Sequence, residues 1–186
     1  MDTLILNLTE TKLKSAHIFK GALLDVWKDE VQLPNGRITG REYIKHPGAV
    51  VMIPILPDRK LALIRQYRYP MGKEFIELPA GKLDEGEDRV ISAKRELEEE
   101  IGFVANQLTE LTEIHPCIGY SDERMWLFLA DQLTLTQQNT DHDEFIELIP
   151  TRLTDAVKMV WRGEISDVKT IIGILWANSH LQHLFQ

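Results

Sequence analysis

Residues 81–103 read GKLDEGEDRVISAKRELEEEIGF, and this stretch decides the fold class. Between Arg89 and Ile101, apolar residues recur at spacings of three and four, at Val90, Ala93, Leu97 and Ile101. Such a period predicts a helix with one buried face, and Gly102 is placed to end that helix.

Acidic side chains crowd the same predicted helix. Glu96, Glu99 and Glu100 stand at i, i+3 and i+4, which places their carboxylates on one side, opposite the apolar stripe. Like charges at this spacing destabilise a helix by roughly 0.2–0.5 kcal/mol per pair. A divalent cation would remove that cost, and carboxylate oxygens suit Mg²⁺ or Mn²⁺, which also bind phosphate oxygens. Taken alone, a solvated acidic face is the competing interpretation.

The spacing of the whole segment resembles the signature of a known family. From Gly81 to Phe103 the chain matches G-x5-E-x7-R-E-U-x-E-E-x-G-U at every defined position, with U an apolar residue. A chance match has a probability on the order of one in 10⁸ per starting point, from background residue frequencies. The chain therefore resembles the Nudix hydrolases. That resemblance implies an α+β fold, an α/β/α sandwich with a mixed sheet, and Mg²⁺-dependent cleavage of a diphosphate bond.

Flanking motifs narrow the resemblance to the ADP-ribose pyrophosphatase branch of that family. They are Arg41-Glu42-Tyr43, His46-Pro47-Gly48-Ala49-Val50, Arg65-Gln66-Tyr67-Arg68-Tyr69-Pro70, Glu77-Leu78-Pro79-Ala80-Gly81 and Gly119-Tyr120-Ser121-Asp122-Glu123. The chain departs from the branch at Ile118, where a proline is usual. The implied reaction converts ADP-ribose to AMP and ribose 5-phosphate. GDP-mannose or another nucleotide sugar is the alternative substrate, and a non-catalytic nucleotide-sensing module is the alternative of another class.

Metal ligands follow from the resemblance. It implies that Glu96 and Glu100 bind the metal, assisted by Glu99 and the backbone carbonyl of Ala80, in the predicted turn of residues 79–81. It also implies that Glu87 orients Arg95, and this interpretation is favoured over the alternative, a negative charge that stabilises the helix N-terminus.

A base that activates the attacking water is expected in the acidic loop of residues 141–144. The resemblance favours Glu144, with Asp141 or Asp143 as alternatives. A solvated loop without a catalytic part is the competing interpretation.

Substrate contacts are implied for residues that suit phosphate, ribose or a base. An arginine fork suits phosphate, and a glutamate accepts from hydroxyl or amino groups. Arg68 would equally suit a surface ion pair, and aromatic residues in strands commonly belong to the core. The implied contacts are Arg41, Arg68, Glu77, Trp27 and Glu123, and Tyr43 is a further stacking candidate.

Two domains are predicted, with the boundary at His46-Pro47. Residues 1–46 form a small antiparallel β domain, with strands in 16–45 around the turn Leu33-Pro34-Asn35-Gly36. Residues 47–186 form the hydrolase domain. Its predicted strands cover residues 50–56, 61–67, 75–78, 108–115, 125–129 and 145–149, and its later helices cover 154–162 and the residues after a Ser166 N-cap.

Bulk properties exclude several classes of function. A net charge of −8 without a basic run argues against binding a nucleic acid polymer. No apolar run is long enough for a membrane span, and the N-terminus does not resemble a signal peptide, so a cytoplasmic protein is expected. The one cysteine, Cys117, is expected to be a buried thiol and not a nucleophile. The resemblance further implies a homodimer whose N-terminal strands cross to the partner.

Overall fold

The computed structural model describes residues 7–140 and 144–185. Contacts divide the chain into two compact units. The first contains the residues up to His46 together with Cys117–Glu123, and the second contains Pro47–Pro116 and the chain from Arg124 onward.

The first unit is a three-stranded antiparallel sheet, with strands β1 (Thr11–Lys20), β2 (Asp25–Gln32) and β3 (Ile38–Lys45) in that order. The predicted turn between β2 and β3 is confirmed: Gly36 has a φ of 82° and donates its N–H to the Leu33 carbonyl at 2.9 Å. Strand β1 begins earlier than predicted. All ten of its residues are exposed, so no alternation of apolar and polar residues marks its start.

A distant segment joins this unit by pairing with the end of β3. Ile44 donates its N–H to the Tyr120 carbonyl at 2.8 Å, and the His46 N–H donates to Asp122 Oδ1 at 2.8 Å. The segment of residues 117–123 thus packs with strands that precede it by more than seventy residues.

The second unit contains two sheets. A mixed sheet has the order β7-β4-β9-β8, in which only β4 and β9 are parallel, and an antiparallel sheet has the order β10-β5-β6. The strands are β4 (Ala49–Pro54), β5 (Leu61–Arg68), β6 (Lys73–Glu77), β7 (Ala80–Lys82), β8 (Phe103–Ile114), β9 (Met125–Leu135) and β10 (Ile146–Thr151).

Helices cover both faces of the central strand β4, which is buried along its whole length. Val50 belongs to the core that contains Leu97 of helix α1 (Arg89–Ile101), whereas Val51 belongs to the core that contains Ile174 of helix α3 (Val168–His180). Helix α2 (Leu153–Trp161) packs with α3. Successive residues of a strand point to opposite faces, so the predicted α/β/α sandwich is confirmed. None of the helices in the described ranges is long and apolar enough to cross a membrane.

Helix α1 has the predicted bounds because both of its ends are capped. Asp88 accepts from the backbone N–H of Val90 at 2.9 Å, and Gly102 ends the helix in the left-handed conformation with a φ of 69°. One residue of the predicted apolar stripe was assigned wrongly: Val90 is 41% exposed, because it lies in the first turn, before the helix reaches the core.

Three other local predictions were wrong. Gly81 lies in the short strand β7 and not in a loop, since it pairs with Val50. The N-cap of α3 is Asp167 and not Ser166, because the Asp167 carboxylate accepts from the Thr170 N–H at 3.0 Å. Strand β8 starts at Phe103, directly after the helix cap, and not at residue 108.

Candidate active site

Three glutamates of α1 lie at graded depth beside strand β7. The side chain of Glu99 is 33% exposed and that of Glu96 is 12% exposed, whereas Glu100 as a residue is only 4% exposed. The helix therefore does not present a uniformly solvated acidic face. Two of the three carboxylates are directed into the protein.

Glu96 occupies the space beside Gly81 in which a side chain would otherwise lie. A Cβ built on Gly81 would stand 1.7 Å from Glu96 Cδ and 1.9 Å from its Oε1. Only a residue without a side chain allows β7 to pass this close to the helix. Gly81 is therefore required by the approach of the carboxylate and not by an unusual backbone angle.

Glu100 is fixed by the backbone of the same strand. The Ala80 N–H donates to Glu100 Oε2 at 2.9 Å. Two backbone hydrogen bonds lie at the ends of the pairing between β7 and β4. The Met52 N–H donates to the Pro79 carbonyl, and the Leu83 N–H donates to the Gly48 carbonyl. Peptide groups alternate in direction along an antiparallel ladder, so both the N–H and the carbonyl of Ala80 point away from β4, toward the glutamates.

Burial of these acids opposes their ionisation. Desolvation raises the pKa of Glu100 well above its ordinary value, and the neighbouring charge of Glu96 adds to this effect. Desolvation likewise raises the pKa of Glu96 to about 7, although the adjacent Arg95 guanidinium favours the charged form. The raised pKa values of both carboxylates show that the site lacks the positive charge needed to stabilise their ionised forms.

The donor set fits a hard divalent cation. Carboxylate oxygens and a peptide carbonyl are ligands that Mg²⁺ and Mn²⁺ prefer, and a cation would relieve the charge deficit at Glu96 and Glu100. In the part of the chain that the structure describes, no three acidic, histidine or cysteine side chains converge as a complete ligand set. Instead, Arg95 Nη1 donates at 2.8 Å both to Glu96 Oε1 and to Glu99 Oε2.

Arg95 is held in turn by Glu87, the acid that precedes the helix. Arg95 Nε and Nη2 donate to the two oxygens of Glu87 at 3.0 and 3.1 Å. These hydrogen bonds are the main cause of the lowered pKa of Glu87, about 2. The contact that an orienting role for Glu87 requires is therefore present, and the helix N-cap position belongs to Asp88.

Glu144, the predicted base, is half-buried, and its charge acts on two of the acids of α1. Besides burial, its charge contributes to the raised pKa values of Glu96 and Glu100. It precedes β10, whose Ile146 is opposite Gln66 on β5. The alternatives Asp141 and Asp143 lie outside the described residues.

Arg68 and Glu77, both predicted substrate contacts, bind each other. Arg68 Nε and Nη2 donate to the two oxygens of Glu77, each at 2.7 Å. The Arg68 side chain is 41% exposed, whereas that of Glu77 is 2% exposed. Arg68 is thus accessible to a ligand, while both oxygens of Glu77 already accept hydrogen bonds. The hydrogen bond from Arg68 to Glu77 is the main cause of the raised pKa of Arg68, and burial opposes it. The charge of Glu100 makes a smaller contribution in the same direction as the hydrogen bond.

Sequence inspection missed Lys169, which completes this cluster. Lys169 Nζ donates to Glu77 Oε2 and, at 2.9 Å, to Asp167 Oδ2. A charged residue within the otherwise apolar segment 168–177 was the one available signal, because Glu77 is 92 residues away in sequence.

The remaining predicted substrate contacts belong to the first unit and pair with other residues of that unit. Arg41 pairs with Glu10, through Nε at 2.9 Å and Nη2 at 2.5 Å. The Trp27 ring stacks on His17 with centroids 4.8 Å apart, and Lys45 Nζ lies 3.7 Å from its centroid.

Glu123 and Tyr43 also contact residues of the first unit. Glu123 Oε1 lies 3.9 Å from His46 Nε2, and the Tyr43 hydroxyl donates to Asp29 Oδ2 at 3.3 Å. A role in substrate binding stays a prediction for all four of Arg41, Trp27, Glu123 and Tyr43.

Cys117 is half-buried and not fully buried as predicted. It lies in the segment that pairs with β3, and the Tyr120 hydroxyl donates to its Sγ at 3.3 Å. This contact gives the thiol a structural neighbour and no base that would activate it.

Comparisons with known proteins agree with this geometry. The NUDIX domain model matches residues 45–168. An ADP-ribose pyrophosphatase of Bacillus subtilis is 38% identical over 170 residues, which cover 90% of this chain and 92% of that protein. A methanol dehydrogenase activator of Bacillus methanolicus is 38% identical over 167 residues, covering 89% and 90%. A crystal structure of an ADP compounds hydrolase superposes with a TM-score of 0.84 at 23% identity, covering 96% of this chain and 98% of that one, which shows the shared fold.

Proposed function

The chain belongs to the Nudix family, and from this premise we propose that it hydrolyses the diphosphate bond of ADP-ribose to AMP and ribose 5-phosphate with Mg²⁺ as cofactor. Mn²⁺ is the alternative ion. One observation carries the proposal: the half-buried Glu96 and the buried Glu100 lie against β7, at Gly81 and Ala80 respectively, with pKa values raised by desolvation. Such a pair needs a cation, and a cation held there attracts a polyphosphate.

Each residue of the site has a part in this reaction. Glu96, Glu99, Glu100 and the Ala80 carbonyl would hold the metal. When bound, Mg²⁺ neutralises charge on the diphosphate and lowers the pKa of the attacking water. Arg95 keeps Glu96 and Glu99 in place, because one nitrogen of its guanidinium binds both carboxylates.

Proton transfer and phosphate binding fall to two further side chains. Glu144 accepts the proton of the attacking water at its carboxylate, and its proximity to Glu96 and Glu100 supports this part. Arg68 donates from its exposed edge to a phosphate oxygen, while Glu77 holds the opposite edge with two hydrogen bonds.

The choice of ADP-ribose rests on the relatives. The Bacillus subtilis protein that is 38% identical over most of both chains is an ADP-ribose pyrophosphatase by name. GDP-mannose or another nucleotide sugar is the alternative, because the α1 acids contact only the diphosphate. A nucleotide-sensing module without turnover is the alternative of another class, and the complete set of carboxylates argues against it.

Three further features complete the proposal. The protein forms a homodimer through its first unit, in which Leu13, Ile18 and Phe19 of β1 are exposed apolar residues. Strands of that unit supply base-binding residues such as Trp27, and residues 1–46 form an N-terminal domain. The protein works in the cytoplasm, where its nucleotide substrates are made.

A turnover panel tests the proposal. Purified protein is incubated in Mg²⁺ with ADP-ribose, ADP-glucose, GDP-mannose, FAD and dinucleoside polyphosphates, and products are separated by chromatography. We expect AMP and ribose 5-phosphate, with kcat/KM for ADP-ribose at least about tenfold above the other substrates. A preference for GDP-mannose would replace the substrate. Calorimetric binding of nucleotides without any turnover would favour the sensing module.

A further inference from the structure

A buried ammonium group lies behind the Arg68–Glu77 ion pair. The side chain of Lys169 is 6% exposed, and its Nζ donates to Glu77 Oε2 and to Asp167 Oδ2. The chain thus forms a row of alternating charges, from Arg68 at the surface through Glu77 and Lys169 to Asp167. A lysine is almost never buried unless it is paired, and this one has two acidic partners.

Lys169 lies in the first turn of helix α3, at the end where the helix dipole disfavours its positive charge. Thr170 nevertheless attaches this turn to the residue that follows β6, because its Oγ1 accepts from the Leu78 N–H at 2.8 Å, next to Glu77. The helix start is therefore anchored where Lys169 reaches Glu77, and the contact is specific and not incidental.

The lysine determines what Glu77 can do for Arg68. Glu77 is buried, and burial alone would raise its pKa, but Arg68 and Lys169 together lower it below the ordinary value. An ionised carboxylate accepts two parallel hydrogen bonds from a guanidinium. Lys169 Nζ and Arg68 Nη2 donate to the same oxygen of Glu77, Oε2, so the lysine fixes the carboxylate that holds the guanidinium at two points. Without Lys169, Glu77 would lose this anchor, and Arg68 would lose part of the hold that fixes its plane.

We propose that Lys169 is a positioning residue for phosphate binding, acting through Glu77 to hold the guanidinium of Arg68. The inference rests on the proposed function. Lys169 itself is too deeply buried to reach a substrate. Its effect belongs to the binding of the diphosphate, which involves the exposed edge of Arg68.

Steady-state kinetics with ADP-ribose and Mg²⁺ tests this part. Lys169→Met should raise KM by about tenfold or more and change kcat by less than about threefold, because a group that binds ground state and transition state alike affects KM. The matched control is Lys158→Met, since Lys158 is exposed on α2 and pairs with Asp155 at the surface. Wild-type KM in Lys169→Met would overturn the inference.

A double-mutant cycle separates positioning from a merely structural role. If Lys169 acts through Glu77 on Arg68, then Arg68→Met should raise KM strongly in the wild type but by less than about twofold in Lys169→Met. Multiplication of the two single losses would overturn the proposal. Circular dichroism and a thermal melt establish that each variant is folded.

A second variant covers the case in which Lys169→Met does not fold because the buried Glu77 keeps only Arg68 as a cationic partner. Glu77→Gln/Lys169→Met removes both charges of the buried pair and is expected to fold. Its KM should remain about tenfold or more above the wild-type value, and a wild-type KM would overturn the inference. Absence of turnover by the wild type itself would instead contradict the proposed function and this inference with it.

Discussion

The carboxylate of Glu96 fills the place of a side chain at Gly81, since a Cβ there would lie 1.7 Å from Glu96 Cδ. Strand and helix thus approach each other at the acid that the proposed mechanism needs most. The contact joins the first residue of the sequence signature, Gly81, to Glu96 in its second half. It gives a physical reason why a glycine stands at the first position.

Gly81→Ala should therefore inactivate the enzyme without unfolding it. The added methyl group displaces the end of a flexible side chain and not backbone, so Tm should change by only about 2–4 °C. The loss in kcat should reach about a hundredfold or more, because the carboxylate is moved out of the site. Gly119→Ala is the control, since among the described residues no heavy atom beyond Gly119 and its two chain neighbours lies within 4 Å of a Cβ there. Near-full activity of Gly81→Ala would contradict the proposed part of Glu96.

Glu100→Gln separates catalysis from stability. The amide keeps an oxygen for the Ala80 N–H and removes the cost of burying an acidic group. We expect kcat to fall by roughly several hundredfold, while Tm in EDTA rises by a few degrees, since about 1 kcal/mol corresponds to 2–4 °C in a chain of this size. Retention of near-full activity would rule out the metal assignment. A lower Tm in EDTA would contradict the unfavourable burial of this acidic group.

Stability in EDTA should fall as pH rises, contrary to the usual behaviour of acidic groups. The pKa of Glu96 is raised to about 7, so the folded state retains a proton that the unfolded state releases above its lower, ordinary pKa. The free energy of unfolding should decrease by on the order of 2–3 kcal/mol between about pH 5 and pH 8. Urea unfolding measures it, and Glu96→Gln should flatten the slope. An equal slope in wild type and Glu96→Gln would contradict the raised pKa.

Arg95→Lys should weaken metal binding more than it weakens the fold. A lysine cannot make the paired bonds to Glu87 while also binding Glu96 and Glu99. The Mg²⁺ concentration for half-maximal rate should rise by about tenfold, and Tm should change by less than about 4 °C. Lys94→Arg, on the exposed side of α1, is the control. An unchanged Mg²⁺ requirement would show that Arg95 does not organise the carboxylates.

Gly173→Ala tests the packing of α3 on the sheet. A Cβ at this position would lie 2.3 Å from Leu78 Cδ1 and 3.5 Å from Ile53 Cγ1, within the buried core. Overpacking of a tight core costs about 1–3 kcal/mol, so urea unfolding should show a loss in that range. A variant as stable as the wild type would mean that the helix can move away from Leu78 without cost.

The strongest periodic element was predicted to the residue, and weakly marked elements were not. Helix α1 has an apolar period, an acidic cap and a terminal glycine, and its bounds agree with the prediction. Strand β7 was taken for a turn, because Pro79 and Gly81 are common in turns and pairing with β4 has no local signal. Likewise Ser166 and Asp167 are both good caps, and only the tertiary position of Thr170 decides between them.

The site was predicted only as far as the family signature extends. The pairing of Arg95 with Glu87 is one that the family resemblance implies, whereas Lys169 joins Glu77 through a contact between distant segments. The depth of Glu100 was also beyond the sequence pattern, because helical spacing gives a direction but not the position of strand β7.

The dependence of ADP-ribose hydrolysis on Mg²⁺ concentration, in wild type and Glu100→Gln, tests the central claim most directly. The claim is that buried acids on α1 bind divalent cations that engage a diphosphate. We expect a saturating rise of the wild-type rate, no turnover in EDTA, and a rate lower by roughly several hundredfold in Glu100→Gln at every Mg²⁺ concentration. Hydrolysis that persists in EDTA, or that is equal in the two proteins, would contradict it.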